Sequence, residues 1–318
     1  TQVGHAIGYG HYTTGWHATS TTGTIGAAAA CARLLGLDAA STAVALAIAA
    51  SLAGGLKSNF GTDTKPVHAG LAAQSGILAA QMAAAGISAN PGALDEPLGF
   101  LDIMNKQTPP GFADRLASLG EVLAIDRHGI VPKPYPSCSY THRPIDAMLE
   151  LRPQIPDLST IELVTIKVPR SFYQVSSKHD PKTPPEARFS LTWCVAVAAI
   201  DGRVQINHFE PDALARRDLR ALEGRAGVDP YIPESGESDL VETAPDTVTV
   251  RLKNGDTLAS TIGKIRGSPQ WPMTAAERHA KFTDCMSAHM DETRAVEAFE
   301  KLQDFDCDQP VSELLRDL

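Results

Sequence analysis

The sequence predicts an α+β chain with a large, alanine-rich, all-helical domain, discontinuous in sequence, and a smaller α+β domain. Three observations predict it. The first hundred residues hold 25 alanines and only seven charged side chains, a composition suited to closely packed, largely buried helices. Residues 160–168 (TIELVTIKV) alternate as a strand does, and residues 247–258 (TVTVRLKNGDTL) read as a hairpin turning at Asn254-Gly255. After Pro272 the chain returns to helix, with Thr274 and Glu277 at capping-box spacing. The expected domains are 1–125 together with 270–318 for the helical part, and 130–268 for the α+β part.

Taken in order, the first helix is expected over about 22–35, ended by Gly36, and the second over about 41–52, before Gly54-Gly55. A third is expected over about 65–85, ending at Gly86, with Thr62, Asp63 or Thr64 as N-cap and Pro66 in its first turn. Pro109-Pro110-Gly111 marks a linker. Behind the strand at 160–168 comes a buried helix over about 187–200, closed by Asp201-Gly202. Two helices, at about 275–290 and 291–302, complete the chain.

Composition excludes several classes. At 43% hydrophobic and 20% charged residues, the chain can bury enough apolar surface to fold. A net charge of −9 argues against a general nucleic-acid binder. No GxGxxG follows a strand and no Walker loop occurs. The longest low-polarity run, 43–56, has 14 residues where a membrane span needs about 20, so no membrane segment is expected. The five cysteines, at 31, 138, 194, 285 and 307, form no CxxC pair and leave an odd one, which points to a reducing cytoplasm.

Three segments concentrate reactive side chains. In 10–23 (GHYTTGWHATSTTG), His17 precedes a Thr/Ser cluster that leads into a helix; a packed histidine at a helix start is the plain alternative. His5, His11 and His17 recur every six residues, a spacing that matches no helical ligand pair, so no metal site is expected. In 57–70 (KSNFGTDTKPVHAG), Lys65 and His68 are three apart at a helix start and share a face. The free N–H groups and positive dipole end there suit a carboxylate, whereas the plain alternative is a solvated first-turn lysine. In 133–147 (KPYPSCSYTHRPIDA), Lys133, Cys138, Tyr140, His142 and Arg143 crowd a proline-stiffened loop ahead of a helix. A nucleophilic Cys138 would make the chain a thiol-dependent hydrolase, open to test with a thiol reagent. Cations and histidines with few acids suit a small di- or tricarboxylate, from which a base removes an α proton while cations stabilise the enediolate.

These residues also carry a family likeness. GWHATSTTGTIGAAAACARLLGLD (15–38), KSNFGTDTKPVHAGLAAQSGILAA (57–80), KPYPSCSYTHRPIDA (133–147) and EARFSLTWCVAVAAIDGRV (186–204) resemble successive signatures of the MmgE/PrpD family, and GSPQWPMTAAERHAKFTDC (267–285) resembles its C-terminal pattern. The resemblance implies a helical domain joined to a smaller α+β domain, a homodimer, and no metal or organic cofactor. By motif position it implies His17, Lys65 and Lys133 as catalytic residues, with His68 close by; the make-up of the 133–147 loop adds Cys138, His142 and Arg143 to His68 as expected substrate-binding residues. Cys138 stands near a place where decarboxylase-type members have a histidine, so that role does not transfer.

The implied activity is that of a cofactor-independent lyase, such as 2-methylcitrate dehydratase or cis-aconitate decarboxylase, or of an iminodisuccinate-type epimerase. Within the family, the loop at 133–147 and the tail resemble the epimerase branch more than the others. His17 or Lys65 would serve as acid/base, and Lys133 with Arg143 as carboxylate anchors. Family members carry a longer N-terminal region with an acidic segment followed by His-Pro-Gly, which does not occur here. The alternative expectation is therefore a truncated, catalytically inactive relative that still dimerises or binds.

Overall fold

A computed structural model describes residues 2–104, 119–234 and 244–303, together with 117, 310 and 312. The predicted break at Pro109-Pro110-Gly111 and Cys307 lie outside the described residues. Backbone proximity divides the chain into two compact units, Thr1–Gly129 and Ile130–Leu318.

The first unit is built on four helices: α1 (Gln2–Thr13), α2 (Ala18–Leu34), α3 (Ala39–Leu52) and α4 (Thr64–Ala84). The last three are the predicted ones. Sequence reasoning missed α1 because Gly4, Gly8 and Gly10 depress helix propensity, and Gly8 interrupts the helix at φ 60°. α2 begins earlier than expected, directly after His17, whose extended backbone serves as N-cap without a side-chain bond. At α3, Asp38 accepts the Ser41 N–H at 2.8 Å and so caps the helix. Pro66 sits in the first turn of α4, where its missing N–H breaks no helical bond.

Small side chains let α2 and α4 approach closely. A Cβ added at Gly76 would stand 2.4 Å from Ala27 Cβ and 2.7 Å from the Ala28 backbone nitrogen. Ala28, Ala32, Ala79 and Ala80 are buried there, with Ile7 and Ile25 supplying the larger apolar volume. Among the described residues no helix is long and apolar enough to cross a membrane.

The second unit is organised around a four-stranded mixed sheet in the order β2-β1-β3-β4. β1 (Ile161–Pro169) pairs parallel with β2 (Ala226–Tyr231) and antiparallel with β3 (Asp246–Leu252), which pairs antiparallel with β4 (Thr257–Ile262). The predicted hairpin is β3–β4, with Gly255 at φ 93° in its turn. β2 (AGVDPY) was not predicted: it is an edge strand in which Pro230 is tolerated and the apolar alternation is weak. Helices His142–Leu151 and Leu191–Asp201 pack on the sheet and on each other. The latter starts at Leu191, not 187, because the Ser190 hydroxyl accepts the Trp193 N–H at 3.1 Å; Gly202 in the left-handed region ends it. Ile161, Val164, Ile166, Val168, Trp193, Val248 and Val250 form the core between them.

The helices Ala275–Met286 and Glu292–Gln303 form as expected, and the Thr274/Glu277 capping box is complete. Their assignment differs. The expectation sets them with the alanine-rich helices, whereas by backbone proximity Ala275–Met286 and Glu292–Gln303 fall within the second unit. These helices are charged and amphipathic, and their polar groups are bound there: Glu277 pairs with Arg266, and Asp284 accepts the Ile206 N–H at 3.2 Å.

Candidate functional site

In the first unit, residues separated in sequence are drawn together by a two-residue crossing of the chain. Trp16 and Leu56 form an antiparallel bridge: His17 N–H donates to the Gly55 carbonyl at 3.0 Å, and Lys57 N–H donates to the Gly15 carbonyl at 2.8 Å. The crossing sets the start of α2 against the segment that leads into α4. Gly55 is held at φ 119°, and a Cβ there would lie 2.8 Å from Ser20 Cβ and 3.5 Å from His68 Nδ1, so only glycine fits.

His17 and His68 meet there. Their Nδ1 atoms stand 3.0 Å apart and both residues are buried. The His17 and Phe60 rings meet edge to face, with centroids 4.9 Å apart. Lys65 Nζ lies 5.4 Å from the centroid of the same Phe60 ring. Burial is the main cause that pushes the His17 pKa down to about 4, and the charge of Lys65 and the neighbouring His68 lower it further. At neutral pH His17 is therefore an uncharged imidazole with a cation nearby.

A second histidine supports this one. The buried His11 contacts the Thr21 hydroxyl through Nε2 at 3.0 Å and stacks on Trp16, while the Thr21 hydroxyl also reaches the His17 carbonyl at 3.4 Å. Lys57 donates to the Tyr12 carbonyl at 3.0 Å and lies 3.7 Å from the centre of the Tyr12 ring, tying the crossing to α1. Gly55, Phe60, Ser20 and Thr21 were not picked out as site residues from the sequence. Their signal is long-range pairing, which no spacing rule displays.

In the second unit the segment 133–147 behaves less uniformly than expected. Lys133 is exposed and donates to the Ser137 carbonyl at 3.4 Å, a carbonyl that His142 Nε2 also approaches at 3.4 Å. Burial and then the Lys133 charge push His142 down to about 3, so it stays neutral. Lys133, Ser139, His142 and Arg266 line a cleft of about 320 Å³.

Arg143 stands elsewhere. Only 1% exposed, it donates from Nε and Nη2 to both Asp246 carboxylate oxygens, and also to the Gly263 and Ala244 carbonyls, all at 3.0–3.1 Å. Those donors cross-link the helix His142–Leu151 to β3 and the end of β4. The expected carboxylate anchor is a fastener of the core.

Cys138 is half-buried at the start of a short turn, where its carbonyl accepts from the Thr141 N–H and hydroxyl. The described cysteines 31, 138, 194 and 285 are unbridged. Burial pushes the Cys194 thiol up to about 12, so it is inert near neutrality.

The network that holds the Lys133 loop escaped sequence reasoning. Tyr135 donates to Asp146 at 2.6 Å, Arg266 donates to both, and Arg266 also pairs with Glu277. Gly267, at φ 95°, lies so close to Pro132 that a Cβ would meet its carbonyl oxygen at 2.3 Å.

Comparison with known proteins gives a consistent picture. The MmgE/PrpD N-terminal domain matches residues 1–113, and the MmgE/PrpD C-terminal domain matches residues 135–304. The cis-aconitate decarboxylase of Homo sapiens is 29% identical over 273 residues, covering 84% of this chain and 55% of its own length. That of Mus musculus is 28% identical, covering 84% of this chain and 54% of its own. The cis-aconitate decarboxylase of Aspergillus terreus is 28% identical over 319 residues, covering 93% of this chain and 63% of its own. The chain thus spans little more than half the length of the first two and under two thirds of the third.

Proposed function

Because the chain belongs to the MmgE/PrpD family, we propose that it is a lyase acting on a small di- or tricarboxylate by removing or delivering a proton α to a carboxylate. The observation that carries this reading is the neutral His17 imidazole beside Lys65. A base must be unprotonated at working pH to take a carbon-bound proton, and a pKa of about 4 keeps it so. Lys65 supplies positive charge where negative charge develops on the substrate. His17 is the acid/base and Lys65 the electrostatic partner. Lys133, as an exposed cation lining its own cleft, is proposed as a carboxylate anchor.

Decarboxylation is the preferred outcome, since the relatives named above are cis-aconitate decarboxylases; dehydration and epimerisation share the same first requirement. A cytoplasmic homodimer without metal or organic cofactor completes the proposal, with sedimentation and cell fractionation as the tests of assembly and location. Activity is tested by proton NMR in D2O with a panel of di- and tricarboxylates that includes cis-aconitate and 2-methylcitrate. Loss of an α or β proton signal, or product formation, that His17→Ala abolishes is the expected result. A panel on which the chain acts no faster than its His17→Ala variant would sink the assignment.

A further inference from the structure

His17 and His68 meet through the same atom type, Nδ1 to Nδ1 at 3.0 Å. A contact that short needs one N–H and one lone pair, since two donors or two acceptors would repel. A neutral imidazole has a single N–H, so between two neutral rings this contact requires opposite tautomers. The ring that donates from Nδ1 presents a bare Nε2, and the ring that accepts presents an Nε2–H. Neither Nε2 hydrogen-bonds a described residue.

We propose that His17 and His68 share one Nδ1 proton and work as a two-ring relay, in which a proton taken up at Nε2 of one ring leaves from Nε2 of the other. His68 is on this account a positioning residue that acts through His17. When His17 Nε2 takes a proton, an N–H bond forms there, and the His17 Nδ1–H bond breaks as its proton passes to His68 Nδ1. His68, then an imidazolium, releases its Nε2 proton to water. Both rings are neutral again and the tautomers have exchanged. Uptake at His68 Nε2 and release at His17 Nε2 restores the start, so His17 alternates between base and acid.

The surroundings fit this role. Burial and the Lys65 charge oppose a lasting charge on His17, as a ring that passes its Nδ1 proton onward requires. Ser20 donates to the His68 carbonyl at 3.3 Å, which fixes the turn that carries His68, and Phe60 packs edge to face with the His17 ring. The catalytic use of the relay rests on the proposed function, whereas the shared proton does not.

The test is ¹⁵N–¹H correlation NMR of the full chain labelled at histidine, at pH 7 and without substrate. Wild type is expected to show one Nδ1–H ring and one Nε2–H ring for the pair. His68→Asn keeps an acceptor near the Nδ1 position and should hold His17 as Nδ1–H, yet lower α-proton exchange by about a hundredfold because it cannot carry a proton onward. His68→Phe should release the His17 tautomer and lose exchange to a similar degree. Matching tautomers in wild type, or full exchange activity in His68→Asn, would overturn the relay. Complementary tautomers in a chain that turns over no carboxylate would leave the shared proton standing and remove the proposed function alone.

Discussion

A histidine held near pKa 4 remains a base well into the acidic range, and this gives His17 a kinetic signature. The acidic limb of kcat/KM for α-proton exchange is expected near pH 4, not near the ordinary histidine value of 6.5. In Lys65→Met one of the lowering charges is gone, so the limb moves up but stays below 6.5, because burial is the larger cause. A wild-type limb at 6 or above would contradict the assignment of His17 as the base. Gly55→Ala tests the same pocket sterically. Its Cβ would press on Ser20 at a φ of 119°, so a loss of about 1–3 kcal/mol in unfolding free energy and a disturbed His17 ring signal are expected by denaturation and NMR. The shared place of Lys65 and His68 at one helix start was legible because they are three apart in a segment with clear start signals. Arg143 was misread because its partner Asp246 lies 103 residues away, and a cation in a polar loop looks the same whether it faces substrate or core.

Helix packing in the first unit separates two glycines that sequence alone would treat alike. Gly76 in α4 leaves no room for a methyl group, with Ala27 Cβ 2.4 Å from the ideal position and backbone atoms of α2 close behind. Gly76→Ala is expected to destabilise by about 1–3 kcal/mol from overpacking, outweighing the roughly 1 kcal/mol that alanine adds to helix propensity. Gly26 in α2 is exposed with nothing within 4 Å of an added Cβ, so Gly26→Ala should stabilise by up to about 1 kcal/mol. Opposite shifts in Tm for the two variants check the packing; equal shifts would refute it. The alanine content forecast this close approach. It did not reveal α1, whose glycines hide a kinked helix, nor β2, whose edge position relaxes the alternation that marks an ordinary strand. The Tyr135–Asp146–Arg266 network was likewise invisible, since it joins positions 135, 146 and 266 through the fold of the second unit.

Across the whole chain, the buried titrating groups differ between the units and give them different responses to acid. In the first unit His17 is lowered to about 4 and burial also lowers His11, so stability is fully present above the unfolded histidine value of 6.5 and is lost as pH falls through the folded values. Between pH 7 and pH 5 the His17 contribution alone falls by about 2 kcal/mol, and His11 acts in the same direction. In the second unit His142, at about 3, and His208, lowered by burial, pull the same way. Two acids oppose them there. Burial raises Asp246 to about 7 against the pull of Arg143, and raises Asp146 to about 6 against the pull of Tyr135 and Arg266. A raised carboxyl contributes stability below its unfolded value of 3.8 that is lost as pH rises through 6–7, so acidification from 7 to 5 restores about 2 kcal/mol at Asp246 and about 1 kcal/mol at Asp146. These terms offset the histidines in the second unit and have no counterpart among the described buried groups of the first. Hydrogen exchange by mass spectrometry, corrected for the intrinsic rate at each pH, should therefore show protection falling in α2 and α4 at pH 5 while Leu191–Asp201 and β1 hold theirs. Asp246→Asn removes the largest offset, so the second unit of that variant should lose more protection on acidification than it does in wild type. Equal loss in both wild-type units, or no change in the variant, would show that these buried groups do not govern the acid response.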